Sequence, residues 1–315
     1  VSDEGETRKF DHGMGVADMD GDGRKDIISK RFWWKQPSGE STKVVRRASG
    51  KQPRTKITRT KSTNEWTKHS WKEEVYEGGA QILVHDVDGD GDDDIITSLH
   101  AHSHGLAWYE RTSSGKFVEH LIMGFSSTEN PFGVSFSQLH ALALEDMDGD
   151  GLKDLVTGKR WYAHHGKDPG GHQAAVLYWF RCVRDLDGVE FVPHQIDNDS
   201  GVGVDILVDD LNNDGHPDVV SSSKRGLSIH IQKPDTLVPG TERWKVAGGQ
   251  PQNDYLVDLD PQASKDIIEV PDGFAVDLIT AEPELVQPIA MCFDARGRIW
   301  VIEGTTYPRR APEGE

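Results

Sequence analysis

The sequence predicts an all-β fold made of repeated four-stranded units, and three observations carry that prediction. An acidic phrase recurs four times at near-constant spacing. Short β-branched or aromatic runs flank every copy. No helical periodicity of apolar residues links one copy to the next.

The four copies are DMDGDGRKDII (18–28), DVDGDGDDDII (86–96), DMDGDGLKDLV (146–156) and DLNNDGHPDVV (210–220), with first aspartates 68, 60 and 64 residues apart. An apolar, partly alternating run precedes each one: GVA, QILVH, LALE and DILVD. Strand, acidic turn, strand is the local reading. A third run follows (RFWWKQ, GLAWYE, VLYWFR and LSIHIQ), and then a fourth: WTKHSW, FVEHLI and FVPHQI, with ERWKVA (242–247) standing in for it in the last copy. Four short strands per unit at this period suggest β-propeller blades. The blades fall near residues 10–71, 80–122, 137–196 and 202–247. With four legible, the propeller is read as incomplete.

Residues 41–64 carry eight Lys or Arg and no acid, and read as a solvated insertion in the first blade. Residues 248–269 read as a linker with a short helix, Asp260 serving as N-cap and Pro261 as its first position. From 270 to 315 a new β domain is expected to begin, with two alternating strands around a turn at Asp294–Arg298. The chain opens on Val1 and reads as a piece of a longer protein.

In the acidic phrase, carboxylates at loop positions 1, 3, 5 and 9 supply oxygen ligands for one hard cation, and glycine at position 6 lets the loop fold back. Calcium fits best, because it accepts six to eight oxygens in loose geometry. The expected ligands are Asp18, Asp20, Asp22 and Asp26; Asp86, Asp88, Asp90 and Asp94; Asp146, Asp148, Asp150 and Asp154; and Asp210, Asn212, Asp214 and Asp218. An EF-hand would need a glutamate at position 12 and flanking helices, and neither is present in the pattern. Four calcium ions would bring the formal charge from −18 to −10. At dissociation constants near ~10⁻⁴ M, ~1 mM calcium would stabilise the fold by about 1.4 kcal/mol per site. That favours an extracytoplasmic setting, periplasmic or secreted, although no secretory signal is read in the chain.

The phrase and its spacing resemble FG-GAP/VCBS-type repeats, the calcium-looped blades of integrin-like propellers, over about residues 10–247. The resemblance implies structural calcium and a ligand face that varies between members. VPDGFAVDLITAEPELVQPIAMCFDARGRIWVIEGTTYP (270–308) resembles the start of a glucose-dehydrogenase-like propeller, more closely that of a planctomycete PVC-type membrane-bound dehydrogenase domain. That likeness implies downstream redox domains in a parent chain; no CxxCH haem motif occurs here.

At the opposite end of the blades the turns collect cations and imidazoles: Lys30 and Arg31; His100, His102 and His104; Lys159, Arg160, His164, His165 and His172; and Lys224 and Arg225. The starts of the innermost strands should add Asp11, His12, Gln138 and His140. HAHSH places three imidazoles at alternate positions, on one side if extended, where they could hold zinc or another transition metal. A hydrated loop is the plainer alternative. His69, His120 and His194 recur at one equivalent position and read as architectural, and the strand-three tryptophans read as inter-blade packing. Cys182 and Cys292, far apart and without a CxxC pattern, read as two buried thiols.

Net charge −18 excludes a broad nucleic-acid surface, and no apolar run approaches the ~20 residues of a membrane span. Three functions remain. One is a calcium-stabilised module that binds a carbohydrate or partner domain through the His/Lys/Arg-rich face. Another is a metal- or base-assisted sugar lyase or dehydratase at that face, with His100, His102, His104, His140, Lys159 and Arg160 as its working residues. The third is a scaffold for the downstream domain. No nucleophile–base pair is legible, so binding is preferred.

Overall fold

A computed structural model describes residues 13–38, 42–47, 54–59, 65–72, 78–129, 131–233, 260–268, 270, 274–286, 288–294 and 296–304. The fold is all-β, organised in four-stranded antiparallel sheets. The first sheet orders β1 (Met14–Ala17), β2 (Asp26–Ser29), β3 (Phe32–Lys35) and β6 (Thr67–Ser70). The second contains β7 (Ile82–His85), β8 (Asp94–Ser98), β9 (Leu106–Arg111) and β10 (Phe117–Met123). The third contains β11 (Leu142–Glu145), β12 (Asp154–Gly158), β13 (Leu177–Asp185) and β14 (Gly188–Asp197). β15 (Ile206–Asp209), β16 (Asp218–Ser223), β17 (Gly226–Gln232) and β18 (Phe274–Thr280) form the fourth. Each sheet is therefore a meander with the acidic phrase at its first turn.

The aliphatic pair that closes each phrase explains how the sheets stack. Successive strand residues face opposite sides. Ile95 packs into a core shared with the first sheet, while Ile96 packs into one shared with the third. Leu155 and Val156 divide in the same way between the second and fourth sheets. The second strands of these two middle sheets are thus buried on both faces, which is why each reads as a continuous apolar run. The first strands lie side by side in the order β1, β7, β11, β15 and then β19 (Pro288–Phe293). The sheets accordingly pack face to face like propeller blades.

The recurrent histidines are architectural. His69, His120 and His194 each sit cross-strand from a tryptophan, Trp33, Trp108 and Trp179, with ring centroids 4.3, 4.3 and 4.5 Å apart. The fourth sheet places Ile229 opposite Asp277 in the same row and dispenses with the pair.

Three expectations need correction. The fourth sheet is closed by β18, drawn from the region expected to open a second domain; residues 242–247 lie outside the described residues. β19 and β20 (Ile299–Glu303) form a hairpin whose Met291 joins Val220, Leu227 and Leu285 in one core, so this segment continues the row instead of starting apart. The physical reason is supply: β17 offers a free ladder edge, and FAVDLIT is β-branched and alternating. The basic insertion lies between β3 and β6 of the first sheet as expected, and within it β4 (Thr42–Arg47) and β5 (Arg54–Arg59) pair as a two-stranded antiparallel hairpin. Finally, Cys292 is exposed because the alternation of β19 turns Met291 inward; only Cys182 is buried.

The short helix falls where expected. α1 (Pro261–Ile267) begins with the Asp260 carboxylate accepting from Gln262 N at 3.0 Å. None of the described helices is long and apolar enough to cross a membrane.

Candidate functional site

The four acidic loops share one hydrogen-bond scheme. At position 1 the carboxylate accepts from the loop's own backbone: Asp86 from Gly89 N (2.8 Å) and Gly91 N (3.1 Å), Asp146 from Gly149 N (2.8 Å) and Gly151 N (2.9 Å), and Asp210 from Asp214 N (3.1 Å) and Gly215 N (2.9 Å). Position 5 repeats the device one step on, with Asp22, Asp90, Asp150 and Asp214 each accepting from the N–H two residues later. Such a path requires left-handed backbone at positions 4 and 6. Position 6 is Gly23, Gly91, Gly151 and Gly215, with φ from 83° to 93°. Position 4 is Gly21, Gly89 and Gly149, replaced in the fourth loop by Asn213 at φ 61°. Asparagine is among the few side chains that tolerate this region.

Position 9 has a second role that the spacing alone does not reveal. Asp26, Asp94, Asp154 and Asp218 are all fully buried. One oxygen accepts from position 2 (Met19 N 2.9 Å, Val87 N 2.9 Å, Met147 N 3.0 Å, Leu211 N 3.1 Å). The other accepts from the third strand or just past it (Gln36 N 2.7 Å, Arg111 N 2.7 Å, Cys182 N 2.8 Å, Gln232 N 2.9 Å). Each carboxylate thereby ties the acidic turn to the neighbouring strand.

The chemistry of these loops suits a cation. Oxygens of Asp18, Asp20 and Asp22, of Asp86, Asp88 and Asp94, and of Asp146, Asp148 and Asp154 lie within 4.8 Å of one another in each set. Burial and the adjacent carboxylates push Asp94 up to about 6 and Asp154 up to about 7. Concentrated negative charge at this spacing is what a divalent ion relieves. Two loops already hold a side-chain cation. Lys35 contacts Asp20 and lies 3.1 Å from Asp22, while Arg181 contacts Asp148 (2.6 Å) and Asp150 (3.0 Å). In the second loop the equivalent residue is Glu110, turned toward His120 at 2.8 Å.

At the other end of the sheets a cavity of about 350 Å³ opens where the first strands begin and the second strands finish. His140 precedes β11, Arg160, Trp161 and Tyr162 follow β12, and Lys224 follows β16. Ala80, Val204, Pro288 and Ile289 give it an apolar side. The turns here are knitted across sheets, with Trp161 N donating to Val202 O (2.9 Å) and Gln138 N to Ser103 O (2.7 Å).

The six expected working residues divide. His140 and Arg160 meet at the cavity, Arg160 Nη1 lying 3.0 Å from His140 Nε2. Donation from guanidinium fixes the imidazole as neutral, with its proton on Nδ1. His102 stacks on His140 (5.0 Å, 15°) and meets His164 edge-on at 4.7 Å. His164 in turn lies 2.7 Å from Asp168. Lys159 is wholly buried beneath this layer, donating to Ser137 Oγ (2.8 Å) and Gln138 Oε1 (3.4 Å). Burial pushes its ammonium down to about 8.

The transition-metal expectation at His100, His102 and His104 is corrected. Residues 100–104 form a turn, with Ser103 N donating to His100 O, so alternate residues do not share a side. His100 packs against Phe125 (5.8 Å) and His104 bridges to Ser137, leaving only His102 in the cluster. Among the described residues, every group that could hold a metal is made of aspartates alone. Asp11 and His12 lie outside the described residues.

Two supporting pairs carried no signal in the spacing. Arg225 lies over the Trp161 ring (4.8 Å to its centroid) and is ion-paired with Asp199; His230 and Asp197 form a fully buried pair at 2.8 Å. Each joins residues about 26–33 positions apart on neighbouring sheets, which no local pattern encodes.

Fold and loops together define an all-β repeat protein with acidic first turns. The family described as FG-GAP-like repeat matches residues 86–157, which run from the second acidic loop to the strand after the third. A family described as a domain of unknown function (DUF7133) matches residues 260–315, beginning at α1. No curated protein matches the chain.

Proposed function

We propose that this chain is a calcium-stabilised, extracytoplasmic binding module: four calcium ions neutralise the acidic turns, and the cavity face at the opposite end of the sheets receives a carbohydrate. The observation that carries the reading is the repeated loop: in three copies carboxylates stand within 4.8 Å of one another, and in all four the backbone is already folded by its own Asx turns. Little reorganisation is left to oppose binding, so the ion's free energy adds directly to stability. The repeat matched at residues 86–157 belongs to a type that is typically extracellular, where millimolar calcium would keep such loops loaded. Calcium titration of the chelator-treated protein tests this. Up to four ions should bind, and the unfolding temperature should rise with free calcium but not with equal magnesium. An unfolding temperature indifferent to calcium up to about 10 mM would remove the proposal.

A further inference from the structure

We propose that the cavity selects a carboxylate-bearing sugar, a uronic or aldonic acid no larger than a disaccharide. This inference rests on the preceding reading that the cavity face is where ligand binds.

Charge is the first argument. Of the four cations that the third and fourth sheets bring to this end in the turns after their second strands, two are spent on the protein itself. Lys159 is buried against Ser137 and Gln138, and Arg225 is paired with Asp199 while it covers Trp161. Arg160 and Lys224 line the cavity, and neither has a carboxylate partner among the described residues. Among the described residues no acidic side chain lines the cavity either, in a chain of net charge −18. Two uncompensated cations concentrated there mark a place for an anion. Arg160 is already oriented toward such a ligand. Its bond to His140 engages one of five guanidinium donors and leaves a planar fork that suits a carboxylate.

Shape and polarity supply the second argument. A volume of about 350 Å³ is at the small end for ligand sites, which favours a ligand of one or two rings. Trp161 and Tyr162 line the cavity together with Val204, Pro288 and Ile289, so the remaining wall offers apolar and aromatic surface of the kind a pyranose C–H face covers. Because Trp161 is held by Arg225 on one side, its position does not wait for the ligand.

Calorimetry on the whole chain with calcium present tests the inference, using D-glucuronate, D-glucose and glucose 6-phosphate as probes. Glucuronate should bind about tenfold or more tighter than glucose, since the difference is a charge-assisted hydrogen-bonded group. Arg160→Met should weaken glucuronate about tenfold and affect glucose far less, in a protein shown by its far-UV spectrum to be folded. Lys224→Met, at an exposed cation, should weaken it about threefold. Equal binding of glucose and glucuronate would overturn the acidic selectivity and leave the carbohydrate reading intact. Tighter binding of glucose 6-phosphate than of glucuronate would assign the cations to phosphate and likewise overturn it. Failure of all three sugars in the folded, calcium-loaded protein would overturn both.

Discussion

At the acidic end of the sheets, four loops repeat the same hydrogen bonds position by position; at the cavity end, each sheet contributes a different turn. The acidic end is a structural device copied into every unit: position 1 folds the loop, position 9 locks it to the strand, and glycine or asparagine permits the path. The cavity end varies from unit to unit: the Lys-Arg pair that follows the second strand recurs at 30–31, 159–160 and 224–225 but is missing from the second unit, and His140, Arg160 and Lys224 meet from two sheets at one cavity. Repetition marks what every unit needs to fold, and departure from repetition marks where one unit does something the others do not. Substitutions should therefore separate the two ends, large in stability at one and small at the other.

The largest expected effect is at position 9. Asp154→Ala removes the acceptor for two buried N–H groups, Met147 N and Cys182 N, at about 1–3 kcal/mol each. A loss of about 4 kcal/mol follows, read as a lower urea midpoint with calcium present. Asp154→Asn keeps one acceptor oxygen and should lose about half of that. Arg160→Met at the cavity removes one donor, that to His140, and should move the midpoint by about 1 kcal/mol. If the two substitutions cost the same, the division between the ends fails.

How much could be read in advance follows the same division. Strand order, turn positions and the recurrent acidic-loop residues were legible because each is written four times, and register across copies singles out the residues that recur. The need for left-handed backbone at position 4 was equally present in Gly21, Gly89, Gly149 and Asn213, yet only becomes a constraint once the turn is seen. The cavity was legible only as a rim rich in cations. Which of them stay uncompensated depends on Asp199 reaching Arg225 across sheets, and on a turn at 100–104 that scatters three histidines. The place of β18 was not legible, because one alternating run fits any open ladder edge and pairing partners distant in sequence leave no local trace.

The repeated architecture also makes a prediction in pH. Burial holds His194 down to about 3, against 6.5 for the exposed imidazole, with the Arg181 charge adding to the effect. Between those values the unfolded chain binds a proton that the folded protein refuses, so stability falls as pH drops below about 6.5. At pH 5 the loss is about 2 kcal/mol. His194→Phe keeps a ring against Trp179 and removes the titration. The difference between wild type and variant, followed by urea unfolding from pH 7.5 to about 5, should change by about that amount. A constant difference would place His194 in contact with water and weaken the view of this row as packed architecture.

A smaller effect isolates the backbone requirement of the loops. Gly151 has φ 91° and nothing within 4 Å of where a Cβ would stand. Gly151→Ala should cost about 1 kcal/mol through strain alone. Asn213→Gly, at a position already occupied by glycine in the other loops, should shift stability by less than about 0.5 kcal/mol. A Gly151→Ala protein as stable as wild type would mean that the loop has another path.

The smallest effect has the opposite sign and tests what Arg181 does. Its guanidinium stands where a metal ion would draw on Asp148 and Asp150, at 2.6 and 3.0 Å. About a third of the side chain is exposed, so solvent screens the pair and its worth is well below that of a buried bridge. If Arg181 is a stand-in that calcium must displace, Arg181→Met should tighten one calcium site about threefold, roughly 0.6 kcal/mol, and leave the others unchanged. The metal-free protein would lose a similar amount of stability, because the carboxylates would then face one another without a cation. If the variant binds calcium more weakly instead, the guanidinium shapes the loop in place of blocking it. At the second loop Glu110 occupies the matching place, Arg184 reaches the Asp86 and Val87 carbonyls and Arg111 pairs with Asp92, so Arg181→Met should leave that loop's calcium affinity unchanged. Calorimetric titration reads both outcomes in one experiment.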